Sequence, residues 1–299
     1  MSARSRIRVM QVTHDLGIGG LPRVVVTLAT TLDRERFDVS VLCMRDTGAL
    51  AGELEEAGIR VHRVPSPGQP DRLAALRVAR ILRRQHVEVL HTHNTQPFLE
   101  AGLAGVLTGV KTLVHTDHGR EFPDLRRYMW AERVMSRFTY RVVGVSEQTT
   151  RALVQWEKLD PRRVVTIENG IDERPFREAA DPALTRSKLH LDPDAVVIGT
   201  VARFQPEKGV DVLIDAMPAV IARVPECVCL IVGYGEQEAA LQGRAEARGL
   251  GDHVRFLGAR RDVPDLLCAL DCYVLPSRRE GLPMAILEAM AAARPIVAT

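Results

Sequence analysis

No apolar run in this 299-residue sequence approaches the length of about 20 residues that a membrane-spanning helix needs. The expectation is therefore a chain without a helical membrane span. The N-terminus does not read as a secretory signal either. Ile7 to Val12 is too short and too broken by polar residues for an apolar signal core. CxxC spacing is also missing. The five cysteines, Cys43, Cys227, Cys229, Cys268 and Cys272, are odd in number and mostly sit in apolar surroundings. That pattern argues against a disulfide framework and for a reduced, cytosolic compartment. Cys268 and Cys272 leave two readings open: a metal pair on one helix face, or small buried hydrophobes. Nor is there an excess of one charge, since the net value is +2. It conceals an asymmetry. Residues 1–175 hold 26 basic and 21 acidic side chains, and residues 176–299 hold 14 and 17. A mildly basic first half suits an anionic partner or an acidic membrane surface, and uneven solvated charge gives the same count.

What is present is alternation. The length suggests one or two domains with a substantial core. Short β-branched runs predict strands at Arg8–Val12, Asp38–Cys43, Arg60–Val64, Val87–His91, Thr112–His115, Arg141–Val145 and Val164–Ile167. Amphipathic stretches between them predict helices, including Leu21–Leu32, Asp71–Arg84, Leu125–Phe138 and Glu147–Trp156. In the second of these, Arg72–Arg84 carries Leu73, Leu76, Arg80 and Ile81 at helical spacing, with most arginines outward. Residues 173–194 carry three prolines, many charges and no periodicity, and read as a linker. A second series follows: Val196–Val201, Val210–Ala222, Val228–Val232, Glu236–Arg248, Val254–Leu257, Val263–Ala269, Cys272–Leu275, Met284–Ala292 and Ile296–Ala298. Strands such as Val228–Val232 are apolar without alternation, as in parallel sheets covered on both faces. The expected architecture is α/β, with two doubly wound, Rossmann-like domains whose parallel sheets face a cleft. The boundaries are 1–172 for the first domain, 173–194 for the linker and 195–299 for the second.

Several clusters could carry chemistry. Gly17-Ile-Gly-Gly-Leu-Pro-Arg23 follows the first strand and opens a helix. Such a loop can admit a phosphate, hold a dinucleotide or simply turn. The dinucleotide fingerprint fits poorly, because its sixth position is Pro22, and Arg45 and Asp46 after the second strand are ambiguous. Arg203-Phe-Gln-Pro-Glu-Lys-Gly209 offers a guanidinium and an ammonium to a diphosphate. Gly233-Tyr-Gly-Glu236 and Phe256-Leu-Gly258 end strands that could line a nucleoside site. His91, His93, His115 and His118 stand near the ends of two neighbouring strands. Zinc, substrate contact (for His118 above all) and, for His91 and His115, a merely satisfied structural histidine are open readings there, with Asp117 as thin support for the metal. Glu280 lies in a Gly/Pro-punctuated loop and Glu288 in the following helix, with seven residues between them. The pair could serve acid/base chemistry, bind sugar or ribose hydroxyls, or be surface charge.

Together these motifs resemble the retaining glycosyltransferases of family 4 (glycosyl transferases group 1), which have the GT-B fold. The resemblance spans nearly the whole chain. It rests on Gly19-Gly20, His93-Asn, His118-Gly, Val145-Ser-Glu, Asn169-Gly-Ile-Asp172, Arg203 with Lys208, and Glu280-x7-Glu288. It implies transfer of a sugar from a nucleotide-diphosphate sugar to an acceptor hydroxyl, with retention and without a metal or other cofactor. By position it implies that Arg203, Lys208, Gly19 and Gly20 hold the donor diphosphate. Glu280 and His118 would meet the donor sugar, and Glu288, Gly233 and Leu257 the nucleoside. No residue stands out as a covalent nucleophile, so the implied mechanism is front-face, with the leaving phosphate as base. The segment from Pro65-Ser-Pro-Gly-Gln to His118-Gly-Arg-Glu-Phe is similar, more weakly, to sugar transferases of bacterial exopolysaccharide systems.

Family members often use lipid-linked acceptors at the inner membrane face. The basic, aromatic segment Arg126-Arg-Tyr-Met-Trp130 with Arg133, Arg137 and Arg141 could touch lipid there. The other reading is a helix packed by Met129, Val134 and Phe138. No nucleic-acid partner is implied. Where this sequence stops at Pro295-Ile-Val-Ala-Thr299, family members continue, so the second domain is expected to be incomplete. Two other functions remain open: a nucleotide-sugar 2-epimerase of the same fold, and an inactive truncated fragment.

Overall fold

The computed structural model describes residues 6–64, 73–119 and 123–299. Pro65–Gln69, Asp71, Arg72 and Arg120–Phe122, which entered the expectations above, lie outside the described residues. The chain divides into two compact units, Met1–Asn169 and Gly170–Thr299.

The first unit runs β1 (Ile7–Thr13), α1 (Gly20–Thr31), β2 (Phe37–Cys43), α2 (Ala51–Glu56), β3 (Arg60–Arg63), α3 (Ala74–Arg84), β4 (Val89–His93), α4 (Thr95–Thr108), β5 (Thr112–Asp117), α5 (Arg126–Ser136), β6 (Arg141–Gly144), α6 (Glu147–Gln155) and β7 (Val164–Thr166). Its strands form one seven-stranded parallel sheet in the order β3-β2-β1-β4-β5-β6-β7. Side chains alternate across it. Val39, Val41 and Cys43 of β2 join a core with Val25, Val26, Ala29 and Leu54, while Leu42 joins Met10, Val12, Leu82, Leu90 and Phe98. Both faces are covered.

The second unit runs α7 (Arg174–Arg177), α8 (Pro182–Lys188), β8 (Val196–Val201), a 3₁₀ turn (Pro206–Lys208), α9 (Val210–Ile221), β9 (Cys227–Val232), α10 (Glu238–Glu246), β10 (Val254–Gly258), α11 (Val263–Cys268), β11 (Cys272–Leu275), α12 (Met284–Ala291) and β12 (Ile296–Ala298). The five strands order β10-β9-β8-β11-β12, all parallel. Every residue of β9 is buried. Cys227, Cys229 and Ile231 meet Ile214 and Met217 on one face, and Val228 and Leu230 meet Leu267 and Tyr273 on the other.

Three local readings change. Residues 173–194 contain α7 and α8, capped by Asp181 onto Ala183 N (2.8 Å) and tied to α11 through Ala180 N to Asp265 (2.7 Å). Two short helices buried only along one edge leave little periodicity in sequence. Cys268 ends α11 and Cys272 opens β11, so they share no helix face. On α3, Leu73 and Leu76 are 53% and 60% exposed, and the buried face is Ala74, Val78, Ala79 and Leu82.

This assignment of faces separates two substitutions on one helix. Leu82→Ala should cost about 2–5 kcal/mol in urea unfolding, as cavity formation in a core does. Leu76→Ala should stay within about 0.5 kcal/mol. Equal losses would refute the assignment.

Candidate active site

Each sheet reverses its winding beside its first strand, at β1/β4 and at β8/β11. In open α/β sheets ligands bind at the carboxyl ends of strands flanking such a switch point. The residues singled out from sequence fall largely at these two places.

In the second unit the turn after β8 and the loop after β11 are locked together. Gly209 has φ 62°, and a Cβ there would lie 1.9 Å from the carbonyl oxygen of Pro276, so only glycine lets the two backbones meet. Arg278 completes the joint. Its guanidinium donates to both carboxylate oxygens of Asp211 (2.8 and 2.7 Å) and to the Pro206 carbonyl (2.6 Å), and its backbone N donates to Glu207 O (2.8 Å). That pairing holds the Asp211 carboxyl below the usual carboxylate range. Lys208 is thereby carried to Glu280. Its Nζ lies 2.9 and 2.8 Å from the two carboxylate oxygens, and Ser277 Oγ donates to Oε1 at 2.7 Å. Both members of the pair are largely shielded, at 25% and 18% exposure. Arg203 is exposed, and its guanidinium has no partner among the described residues.

The next turn is fitted onto the same corner. Gly233 has φ 141°, and a Cβ there would meet the Ala202 carbonyl oxygen at 1.8 Å. Phe204 N donates to Tyr234 O, and Gly233 N to Gly258 O. Leu257 is half-buried in the core beneath β10. Glu288 is half-buried in the second turn of α12. Tyr273, buried in β11, has its hydroxyl pushed well up by burial, and the charges of Glu288 and Glu280 add to the shift. Both carboxylates therefore bear on one region.

In the first unit, β1 exits into a loop where Gly17 N is held by Asp15 (2.8 Å), and α1 begins at Gly20. A Cβ on Gly19 would meet only Pro22, at an ordinary 3.7 Å, so packing alone does not demand glycine there. Beside it stands a chain of side chains. His93 Nε2 lies 2.8 Å from Gln11 Oε1, and His93 Nδ1 lies 2.9 Å from His118 Nε2. Asn94, at φ 62°, accepts from the backbone N of His118 (3.1 Å). A non-glycine residue with positive φ is uncommon and such strain concentrates at functional sites. His91 Nε2 pairs with Thr116 Oγ1 (2.8 Å), and His115 stacks on Phe98 at 3.9 Å and pairs with Thr92. Burial pushes His91 down to about 4 and His118 to about 3, and holds His93 well below the ordinary range. All three are neutral at pH 7. Among the described residues no group of three or more His, Cys, Asp or Glu is placed to hold a metal ion.

Residues 18–174, more than half the chain, match the model of the family described as Glycosyltransferase Family 4. The chain belongs to this family. Residues 183–299 match the companion model, Glycosyl transferases group 1. The enzyme is therefore a glycosyltransferase with two Rossmann-like domains of the GT-B fold. It is 30% identical to the GDP-mannose-dependent monoacylated alpha-(1-6)-phosphatidylinositol monomannoside mannosyltransferase of Corynebacterium glutamicum, over 97% of this chain and 80% of that protein. It is 28% identical to the UDP-Gal:alpha-D-GlcNAc-diphosphoundecaprenol alpha-1,3-galactosyltransferase of Escherichia coli, over 99% and 80%. Among solved structures, Anabaena Alr3699/HepE in complex with UDP and glucose shares the fold, with a TM-score of 0.84 at 24% identity over 98% of this chain and 80% of that one. These matches give the epimerase alternative no support.

The structure of this glycosyltransferase thus brings Lys208 to Glu280 and His93 to His118, and leaves Arg203, Gly19 and Gly20 open at strand ends. Sequence reasoning missed Gln11, Ser277, Arg278 and Asp211. Only Gln11 left a signal, as a polar residue set among Val9, Met10 and Val12.

The depressed histidines set a pH dependence. Their folded-state values lie below the ordinary 6.5, so the unfolded chain takes up protons first. Stability should be complete above about pH 6.5 and fall as pH drops towards 4. In His91→Asn the slope of unfolding free energy against pH should shrink by about one proton across that window, measured by urea titrations. An unchanged slope would contradict a neutral buried His91.

Proposed function

We propose that this glycosyltransferase moves a sugar from a nucleotide-diphosphate sugar to an acceptor hydroxyl with retention of configuration, in polysaccharide or glycolipid assembly. The observation that carries this reading is the corner after β8 and β11. There a shielded ammonium–carboxylate pair, Lys208–Glu280, stands with the guanidinium of Arg203, which has no partner among the described residues, on the same strand-end turn. A leaving diphosphate needs positive charge that is already in place, because charge accumulates on it in the transition state. Arg203 can take a diphosphate in a fork, and Lys208 can add a point charge. Glu280, released from Lys208 or sharing it, accepts from hydroxyls of the donor sugar. Glu288 takes the ribose, and Gly233 and Leu257 border the nucleoside. From the first unit, Gly19 and Gly20 offer backbone N–H groups to phosphate and acceptor, and His118 meets the sugar being transferred. In this reading the protein's own cations neutralise the leaving group, and no metal or other cofactor takes part.

The names of the relatives support a nucleotide sugar and differ in base, UDP for one and GDP for the other. Both name a lipid-linked acceptor, diphosphoundecaprenol or a phosphatidylinositol mannoside. A lipid-linked acceptor at the inner membrane face is accordingly proposed here, with peripheral contact through α5. Among the described residues no helix is long and apolar enough to cross a membrane. On α5, Glu132, Met135 and Ser136 face inward. Arg126, Arg127 and Arg133 are exposed with Trp130 (68%), and Phe138 beyond the helix end is 58% exposed, so it does not pack the helix down. Arginine flanked by indole and phenyl rings suits an anionic headgroup layer.

Two measurements test the reading. Arg203→Ala should weaken binding of the cognate nucleotide, identified by thermal shift with UDP, GDP and ADP, by about 1.5–3 kcal/mol, as loss of charge-assisted bonds does. Unchanged affinity would sink the assignment of Arg203. In flotation, the protein should rise with vesicles containing anionic lipid and not with purely zwitterionic ones, and Trp130→Ala should cut the bound fraction. Equal behaviour on both vesicles would remove the membrane contact.

A further inference from the structure

The Gln11–His93–His118 chain spans three strands' worth of sequence and ends at the one histidine given a role in transfer. Gln11 is 2% exposed and His93 is fully buried, so neither can reach a substrate directly. Both lie on the central strands of the sheet, where an apolar pair would serve packing better and avoid burying polar atoms. Both ring nitrogens of His93 are instead committed, one to Gln11 and one to His118.

The proton positions follow from the contacts. Gln11 Oε1 can only accept, so His93 Nε2 carries a hydrogen. A neutral imidazole has one N–H, so His93 Nδ1 is a bare lone pair. His118 Nε2, 2.9 Å away, must then be the donor. That leaves His118 Nδ1 without hydrogen, and this atom has no partner among the described residues. The backbone of His118 is fixed separately by Asn94 Oδ1. We propose that Gln11 and His93 are positioning residues that hold His118 in its Nε2–H tautomer, so that Nδ1 is presented as a hydrogen-bond acceptor for a hydroxyl of the transferred sugar. The inference rests on the proposed contact of His118 with that sugar. It differs from that contact in assigning a tautomer and the residues that impose it.

A sugar hydroxyl can give its proton to Nδ1 and keep its own lone pairs for other donors, whereas a deoxy sugar leaves the lone pair unmet. The relay also has a sense. If His93 gained a second proton, its Nδ1–H would point at His118 Nε2 and drive the hydrogen of His118 onto Nδ1, turning the acceptor into a donor. The titratable groups bearing on His93 are His91 on its own strand, and His115 and His118 from β5 and its exit. None of the three is acidic.

The test has two arms on the full chain. In the first, long-range ¹H–¹⁵N spectra of histidine-labelled protein at pH 7 report the tautomer. The expectation for His118, assigned with His118→Asn, is hydrogen on Nε2 and none on Nδ1. Hydrogen on Nδ1, or the imidazolium pattern, overturns the proposal whatever the activity. In the second arm Gln11→Met keeps volume and removes the acceptor. His118 should become a mixture of tautomers and turnover should fall about tenfold, the scale of one lost hydrogen bond, with nucleotide affinity unchanged. Gln11→Glu should introduce an acid limb near neutral pH, because the carboxylate favours the doubly protonated His93 that reverses the relay. A Gln11→Met enzyme with wild-type tautomer and turnover, or a Gln11→Glu profile that keeps the wild-type shape, refutes the relay. If the tautomers behave as stated and His118→Asn leaves turnover intact, it is the sugar contact of His118 that fails, and the presentation of Nδ1 to a sugar hydroxyl falls with it.

Discussion

A parallel strand can be extended on only one side until the chain crosses back, and both sheets here cross back beside their first strand. β2 and β3 stack outward from β1 before the chain returns to place β4 on its other side, and β9 and β10 do the same around β8 before β11 returns. The loops that leave the two flanking strands therefore diverge, and the backbone ends between them stay uncovered. The residues singled out for the site gather at these two gaps: the glycine loop and histidines at one, the Arg203–Gly209 turn and the Glu280 loop at the other. Elsewhere along the sheets, helices cover both faces, and the strands can be wholly apolar.

The second gap shows how an ionic pair is kept in a fixed place without being buried outright. A surface pair of lysine and glutamate is worth little, since water competes and both side chains lose freedom. Lys208 and Glu280 are about three-quarters or more shielded and are placed by backbone, not by their own attraction. Gly209 seats one loop against Pro276, and Arg278 clamps the other to Asp211 and Pro206. The positive charge is thus in position before any ligand arrives, which is the condition for electrostatic stabilisation of a leaving group. The first gap uses no charge. Its histidines are neutral, and what they supply is direction: a defined donor at one nitrogen and a defined acceptor at the other. The two gaps differ in their physics, fixed charge at one and oriented dipoles at the other.

Much of this was readable in the chain. The strands at Val196–Val201, Cys272–Leu275 and Ile296–Ala298 stand where their apolar runs put them, and the Glu280-x7-Glu288 spacing placed one carboxylate in a loop and one in a helix. Less was readable where small or polar residues face inward. The buried face of α3 is Ala74, Val78, Ala79 and Leu82, while Leu73 and Leu76 point out. The fourth strand was expected at Val87–His91 and runs Val89–His93, which moves His93 from beyond a strand end to its last residue. Arg278 drew no reading from sequence, and its partner Asp211 lies 67 positions away.

The sequence alone determined the α/β class, the two alternating series, the family, and the residue types available for holding a diphosphate sugar. These follow from local properties: side-chain period, glycine and proline placement, and motif spacing. Only the tertiary structure decided that Lys208 is paired with Glu280 across 72 positions and that Gln11 addresses His118 through His93 across 82. A hydrogen bond depends on angstroms between atoms, and those distances exist only once strands from opposite ends of a unit lie side by side.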